Sequence, residues 1–264
     1  MSNYNKKTLH FKDVKFPDIV FKYRSATNEN HLRFIKNREV FFAAPSMFED
    51  VKDCKISTRY DLMTDEEAFS FAMKLSNGVN PHFTLLQHME DSAKWVHSKI
   101  YKKPEFYDSY IKFVNEAYDK RRGILSLTAN PCLQRLWEKY ADHGKGICIG
   151  YNSRIMFQKF GGGGEVIYVD ELPLIMPDPI MDDIEGFHKT VFFKERKWDF
   201  EEEYRSTKFF TKDATIKDRR IQLPKNAFNC IILGQNIENR DEIIRLVKKY
   251  IGNIPIYEQE SFCK

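Results

Sequence analysis

Glycine and proline are scarce in this sequence, at 12 and 10 of 264 residues. That excludes a collagen-like or low-complexity chain. No apolar run approaches the length of a membrane-spanning helix. The start, Met1 to Lys7, has no apolar stretch of the secretory type. The cysteines, Cys54, Cys132, Cys148, Cys230 and Cys263, are odd in number and scattered, with no C-x-x-C. Neither a disulfide framework nor a zinc ribbon is expected from them. Charge of one sign is also short: 42 Lys+Arg against 38 Asp+Glu leaves +4. A strongly basic nucleic-acid binder is therefore not indicated. Missing too are G-x-x-x-x-G-K-[ST], H-E-x-x-H and G-x-S-x-G. These absences lead us to expect a soluble, cytoplasmic protein of a reducing compartment, without a membrane partner.

What is present is a core. Hydrophobic residues are 42% and aromatics 14% of the chain, which argues against disorder. Strands are expected at 19–24, 40–43, 123–128, 146–151, 166–169, 198–210, 229–233 and 254–257 from β-branched and aromatic content. Helices are expected at 28–37, from Thr64 onward, at 81–97, 104–120, from Asn130-Pro131 to Tyr140, within 180–195 and at 240–250. Thr64 and Glu67 form a capping-box pattern. Gly161 to Gly164 reads as a turn, and His82, His88 and His97 lack metal-ligand spacing. The expected architecture is one α+β domain over 1–264 with a mixed or antiparallel sheet. A helical insertion over about 62–121 reads as a lid or acceptor-binding segment.

Three segments carry chemistry-bearing side chains. Phe21-Lys22-Tyr23-Arg24-Ser25 ends a strand with a ring and a guanidinium, a pairing suited to a phosphate and a stacked base. Leu125-Ser126-Leu127-Thr128 alternates hydroxyl and apolar residues, so Ser126 and Thr128 share one face. Lys197 to Arg205 holds Glu201, Glu203 and Arg205 at alternate positions, a polar row if the segment is a strand.

In order, these segments resemble a widespread bacterial family known as a domain of unknown function. The matching blocks are Phe21 to Arg24, Phe48-Glu49-Asp50, Ser126 to Thr128, Leu136-Trp137-x-x-Tyr140-Ala141-x-x-Gly144-x-Gly146, and Lys194 to Arg205. The resemblance spans roughly 20–235. Phe21 stands where the family has a tyrosine, and Glu49 and Val51 depart from its F-N-D-P-F loop. The layout is similar, more distantly, to ADP-ribosyltransferases. Those enzymes place a basic residue on an early strand, hydroxyls on a middle strand and a late E-x-E. The resemblance implies an ADP-ribosyltransferase-like fold and NAD as substrate. It further implies Glu203 and Glu201 as catalytic carboxylates, and Arg24, Tyr23, Ser126, Thr128 and Tyr204 as dinucleotide ligands, with no metal.

Breaking the bond between nicotinamide and ribose builds positive charge on an oxocarbenium-like carbon, and a carboxylate stabilises that charge. Glu203 is assigned that role, Ser126 that of holding Glu203 or the nicotinamide ribose, Arg24 the pyrophosphate, and Glu201 the incoming nucleophile. The acceptor, a protein side chain, a nucleic-acid base or, in NAD hydrolysis, water, is not specified by the residues. The cellular role implied is that of a toxin or phage-defence effector. Two other readings stand beside this one. The first is a metal-dependent nuclease or phosphoesterase using Asp50, Asp53, Glu201 and Glu203 as oxygen ligands. The second is a non-catalytic nucleotide-sensing or interaction module.

Overall fold

A computed structural model describes residues 16–264. Residues 1–7, read above for a leader segment, lie outside that range. The described chain is α+β, with a mostly antiparallel open sheet. It divides into two compact units. The first comprises the chain up to Ala43, Gly123–Val166 and Lys197–Lys264; the second comprises Ala44–Arg122 and Ile167–Arg196.

The first unit contains strands β1 (Ile19–Arg24), β2 (Glu39–Phe41), β3 (Arg122–Thr128), β4 (Ile147–Asn152) and β5 (Gly164–Glu165). The second holds β6 (Ile167–Val169) and β7 (Phe193–Glu195), a parallel pair. The chain then returns to the first for β8 (Glu203–Phe209), β9 (Arg220–Gln222), β10 (Phe228–Leu233) and β11 (Ile256–Glu258). Seven of these form one sheet in the order β11-β10-β4-β1-β3-β8-β5, while β2 pairs with β9. β1 lies antiparallel to both β3 and β4, β10 antiparallel to β4 and β5 to β8, while β11 runs parallel to β10.

Alternation along these strands sorts the core into two faces. Val20, Leu125, Leu127, Ile149, Tyr151 and Ile231 belong to one cluster. It is covered by α1 (Glu29–Lys36) through Phe34 and Ile35, and by two further helices through Phe157 and Val247. Phe21, Tyr23, Cys148, Cys230 and Ile232 belong to the other cluster, covered by Leu136 and Trp137. Burying each such side chain contributes roughly 1.5–3 kcal/mol, so both faces are committed to packing.

The second unit is largely helical. It contains α2 (Asp65–Val79), α3 (Leu85–Ser98), α4 (Pro104–Arg121) and α7 (Asp183–Phe192), while the first unit has α5 (Gln134–Tyr140), α6 (Ser153–Phe160), α8 (Arg240–Tyr250) and α9 (Gln259–Phe262). Thr64 and Glu67 make the reciprocal capping box that the sequence signalled. Thr84 and Gln87 make a second one, which moves the start of α3 to Leu85, four residues past the expected Pro81. Ser76 Oγ lies 2.9 Å from His88 Nδ1, so His88 is a satisfied core histidine.

Two local readings change. Asn130 does not cap a helix: its Oδ1 accepts the Cys132 N–H at 2.9 Å, closing an Asx turn, and α5 begins only at Gln134. The segment read as one strand from Trp198 is split. Residues Arg196–Glu201 form a 3-10 helix, Glu202 takes a left-handed φ of 43°, and the strand starts at Glu203. Among the described residues, no helix is long and apolar enough to cross a membrane.

Candidate functional site

The hydroxyl-bearing strand and the carboxylate-bearing strand are neighbours, β3 beside β8. The Ala129 N–H points to the Glu202 carbonyl at 3.4 Å, which fixes the two strand ends against each other. Leu125, Leu127 and Tyr204 pack into the α1-side cluster. By alternation Ser126, Thr128, Glu203 and Arg205 therefore share the opposite face, the one covered by α5.

Glu203 and Arg205 are both buried there, with side-chain exposures of 4% and 0%. Arg205 Nε donates to Glu203 Oε1 at 2.7 Å and Nη2 to Oε2 at 2.8 Å, a bidentate pair. Positions two apart on a strand stand side by side, so the pairing follows from the local backbone. The arginine engages both carboxylate oxygens of Glu203.

Glu201 is not in the strand row. It ends the 3-10 helix, where its Oε1 accepts from Tyr140 Oη at 3.0 Å. The Arg135 guanidinium lies 3.8 Å from the Phe200 ring centroid, and Lys139 Nζ 4.4 Å from that of Trp198. Two cation–π contacts and one hydrogen bond thus seat the 3-10 helix on α5. The left-handed Glu202 between the two glutamates turns Glu201 away from the geometry a continuous strand would give.

The remaining expected ligands are dispersed, for reasons visible in the packing. Tyr23 is on the α5 face but serves the core. Its ring meets Trp137 edge-on at 5.1 Å and its hydroxyl donates to the Asn130 carbonyl at 3.1 Å. Burial pushes its phenol well above the ordinary tyrosine range. It is not placed to stack on a ligand ring. Thr128 Oγ1 accepts the Asn130 N–H at 3.1 Å and is similarly engaged. Tyr204 points to the α1 side of the sheet. So does Arg24, whose guanidinium lies 4.1 Å from the centroid of Phe34. The structure therefore brings Ser126, Thr128 and Glu203 to one face, sets Glu201 at its rim, and places Arg24 and Tyr204 across the sheet.

Sequence reasoning missed two residues that organise this site. Asn130 joins three elements: its carbonyl receives Tyr23, its backbone N–H binds Thr128, and its Nδ2 donates to Glu202 Oε1 at 3.3 Å. Tyr140 holds Glu201. A signal for the first was available, since Asn-Pro is as good an Asx-turn sequence as a helix cap. No local signal existed for the second. A disulfide joins Cys132 to Cys263 across 131 residues and ties the end of the chain to the Asn130 loop. Scattered cysteines gave no hint of it, and the bond runs against the expectation of a reducing compartment.

The carboxylates of the metal reading have partners within the chain. In the second unit, Asp53 faces Lys194 Nζ at 3.4 Å, both side chains buried, and accepts from Cys54 Sγ at 3.4 Å. Asp50 Oδ1 accepts the Lys52 N–H at 3.0 Å. Among the described residues no group of three or more His, Cys, Asp or Glu is arranged to hold a metal ion. No family model matches the chain, and neither does any curated protein or solved structure.

Proposed function

We propose that the first unit binds NAD on the α5 face of its sheet and transfers ADP-ribose, to an acceptor or to water. The observation that carries this reading is the adjacency of β3 and β8, with Ser126, Thr128 and Glu203 on one face. A hydroxyl strand beside a carboxylate strand is the arrangement the chemistry needs. The C–N bond from ribose to nicotinamide breaks, and nicotinamide leaves with the bonding electron pair. The nucleophile's lone pair forms the new bond to the same carbon and its proton is lost. Glu203 accepts a ribose hydroxyl and stabilises the cationic carbon. Ser126 orients that ribose, and Glu201, at the rim, receives the nucleophile's proton. A bacterial toxin or defence role is the cellular counterpart of this activity.

Arg205 modifies the proposal. Glu203 reaches the ribose as half of an ion pair, so its charge is shared between ligand and arginine. The same pair favours a second reading, a nucleotide-binding module without turnover, because a carboxylate already neutralised does less for a developing cation.

The test is nicotinamide release by the full chain, alongside calorimetric NAD binding, in the parent protein and in Ser126→Ala. Loss of one oriented hydrogen bond is expected to lower release about tenfold, with an unchanged melting temperature. Binding without release in the parent selects the second reading. Neither binding nor release rejects both.

A further inference from the structure

Arg24 has no role on the α5 face, yet it is an expensive residue to place where it is. Its guanidinium lies against Phe34, and its Nη1 donates only to the carbonyl of the adjoining Tyr23, at 3.1 Å. Its Nε is buried without a hydrogen-bond partner, and no carboxylate pairs with it among the described residues. Burial pulls its pKa down to about 10, so the group is still charged at neutral pH. A cation drawn largely out of water without a counter-charge is costly, and native folds seldom keep one.

A second orphan lies on the same face. Tyr151 is fully buried, and its hydroxyl has no partner. A buried polar atom left unpaired in this way calls for a ligand or a function. His31, on α1, adds a third donor. Its Nδ1 accepts the Ser25 N–H at 3.0 Å, which leaves the proton of the neutral ring on Nε2. Burial, together with the charge of Arg24, pushes its pKa down to about 4. Lys22 contributes further positive potential at His31, and Asp142 is the carboxylate that opposes it. Arg24, His31 and Lys22 are each partly exposed, so the group opens to solvent.

We infer that Arg24, Tyr151 and His31 form a binding site for an oxyanion, a phosphate or carboxylate group, on the α1 face of the sheet. The set is made of donors. A planar guanidinium supplies charge and a fork, and the phenol and imidazole supply single directed N–H or O–H groups. The site lies across the sheet from Glu203 and stands or falls independently of the NAD reading.

The experiment is thermal unfolding of the full chain in sodium phosphate, sodium acetate and sodium chloride at matched ionic strength. It is repeated on Arg24→Met and Tyr151→Phe. Phosphate also stabilises proteins by exclusion from their surface, and that part is common to all three. The site predicts a saturable rise in melting temperature over chloride, on the order of 5–10 °C at a hundredfold excess over Kd. It also predicts that the rise is lost in Arg24→Met and needs about tenfold more anion in Tyr151→Phe. A response to phosphate alone assigns a phosphoryl ligand, and to acetate alone a carboxylate. No response to either anion, or a response unchanged in both variants, overturns the inference.

Discussion

The two faces of the seven-stranded sheet treat an arginine in opposite ways. On the α5 face, Arg205 is matched by Glu203 through two short hydrogen bonds. On the α1 face, Arg24 lies on an aromatic ring with its Nε unpartnered. The first arrangement pairs charge with charge; the second is incomplete until an anion arrives. The contrast teaches that motif order on neighbouring strands does not place side chains on one face. Strand alternation does, and it separates Arg24 from Glu203.

The largest test of the contrast is to leave one charge of the complete pair behind. Arg205→Met is expected to cost about 3–5 kcal/mol in urea denaturation, because it removes one partner of a buried, bidentate ion pair. Glu203→Gln should be destabilising for the mirror reason, even though the side chains are nearly isosteric. The double variant Glu203→Leu/Arg205→Met should recover most of the loss. Additive losses would show that the two side chains do not act as a pair.

Gly146 offers a cut at the strand end next to Arg24. A Cβ there would meet the Arg24 carbonyl at 2.3 Å and the Ala141 Cα at 2.8 Å. Gly146→Ala should cost about 1–3 kcal/mol by overpacking. An unchanged midpoint would mean that this junction yields more easily than its packing implies.

His31 makes the α1 face sensitive to acid. Its native pKa, near 4, is below the unfolded value of 6.5. The unfolded chain therefore binds more protons across that window. Stability is complete above about pH 6.5 and falls as pH drops toward 4. Discounted for partial exposure, the loss is on the order of 2 kcal/mol. Its removal in His31→Gln, read as a flatter pH–stability curve between these limits, is the check.

The smallest effect separates the arginines most sharply. In chloride, Arg24→Met should leave stability unchanged or raise it by about 1 kcal/mol, since a half-desolvated charge without a counter-ion is replaced by an apolar chain. A loss as large as that of Arg205→Met would erase the contrast.

Much of the architecture was legible because periodicity is local. β1 is found at Ile19–Arg24 as its composition indicated, α4 starts at Pro104, and Thr64 caps α2 with Glu67. Ser126 and Thr128 share a face because a strand's period is two. The failures lie where a local pattern had two outcomes. Asn130-Pro131 closes an Asx turn, and Trp198 to Glu202 winds into a 3-10 helix and a left-handed residue before the strand resumes.

What the sequence determined by itself is the α+β class, the alternating hydroxyls of β3, and the juxtaposition of Glu203 with Arg205, since these follow from backbone geometry over a few residues. What only the tertiary structure decided is which face each strand turns to the core. It also decided the Cys132–Cys263 bond across 131 residues, the Tyr140 hold on Glu201, and the unpaired state of Arg24. Those depend on strand order and on which helix covers which face, and no local pattern encodes contacts between residues so distant along the chain.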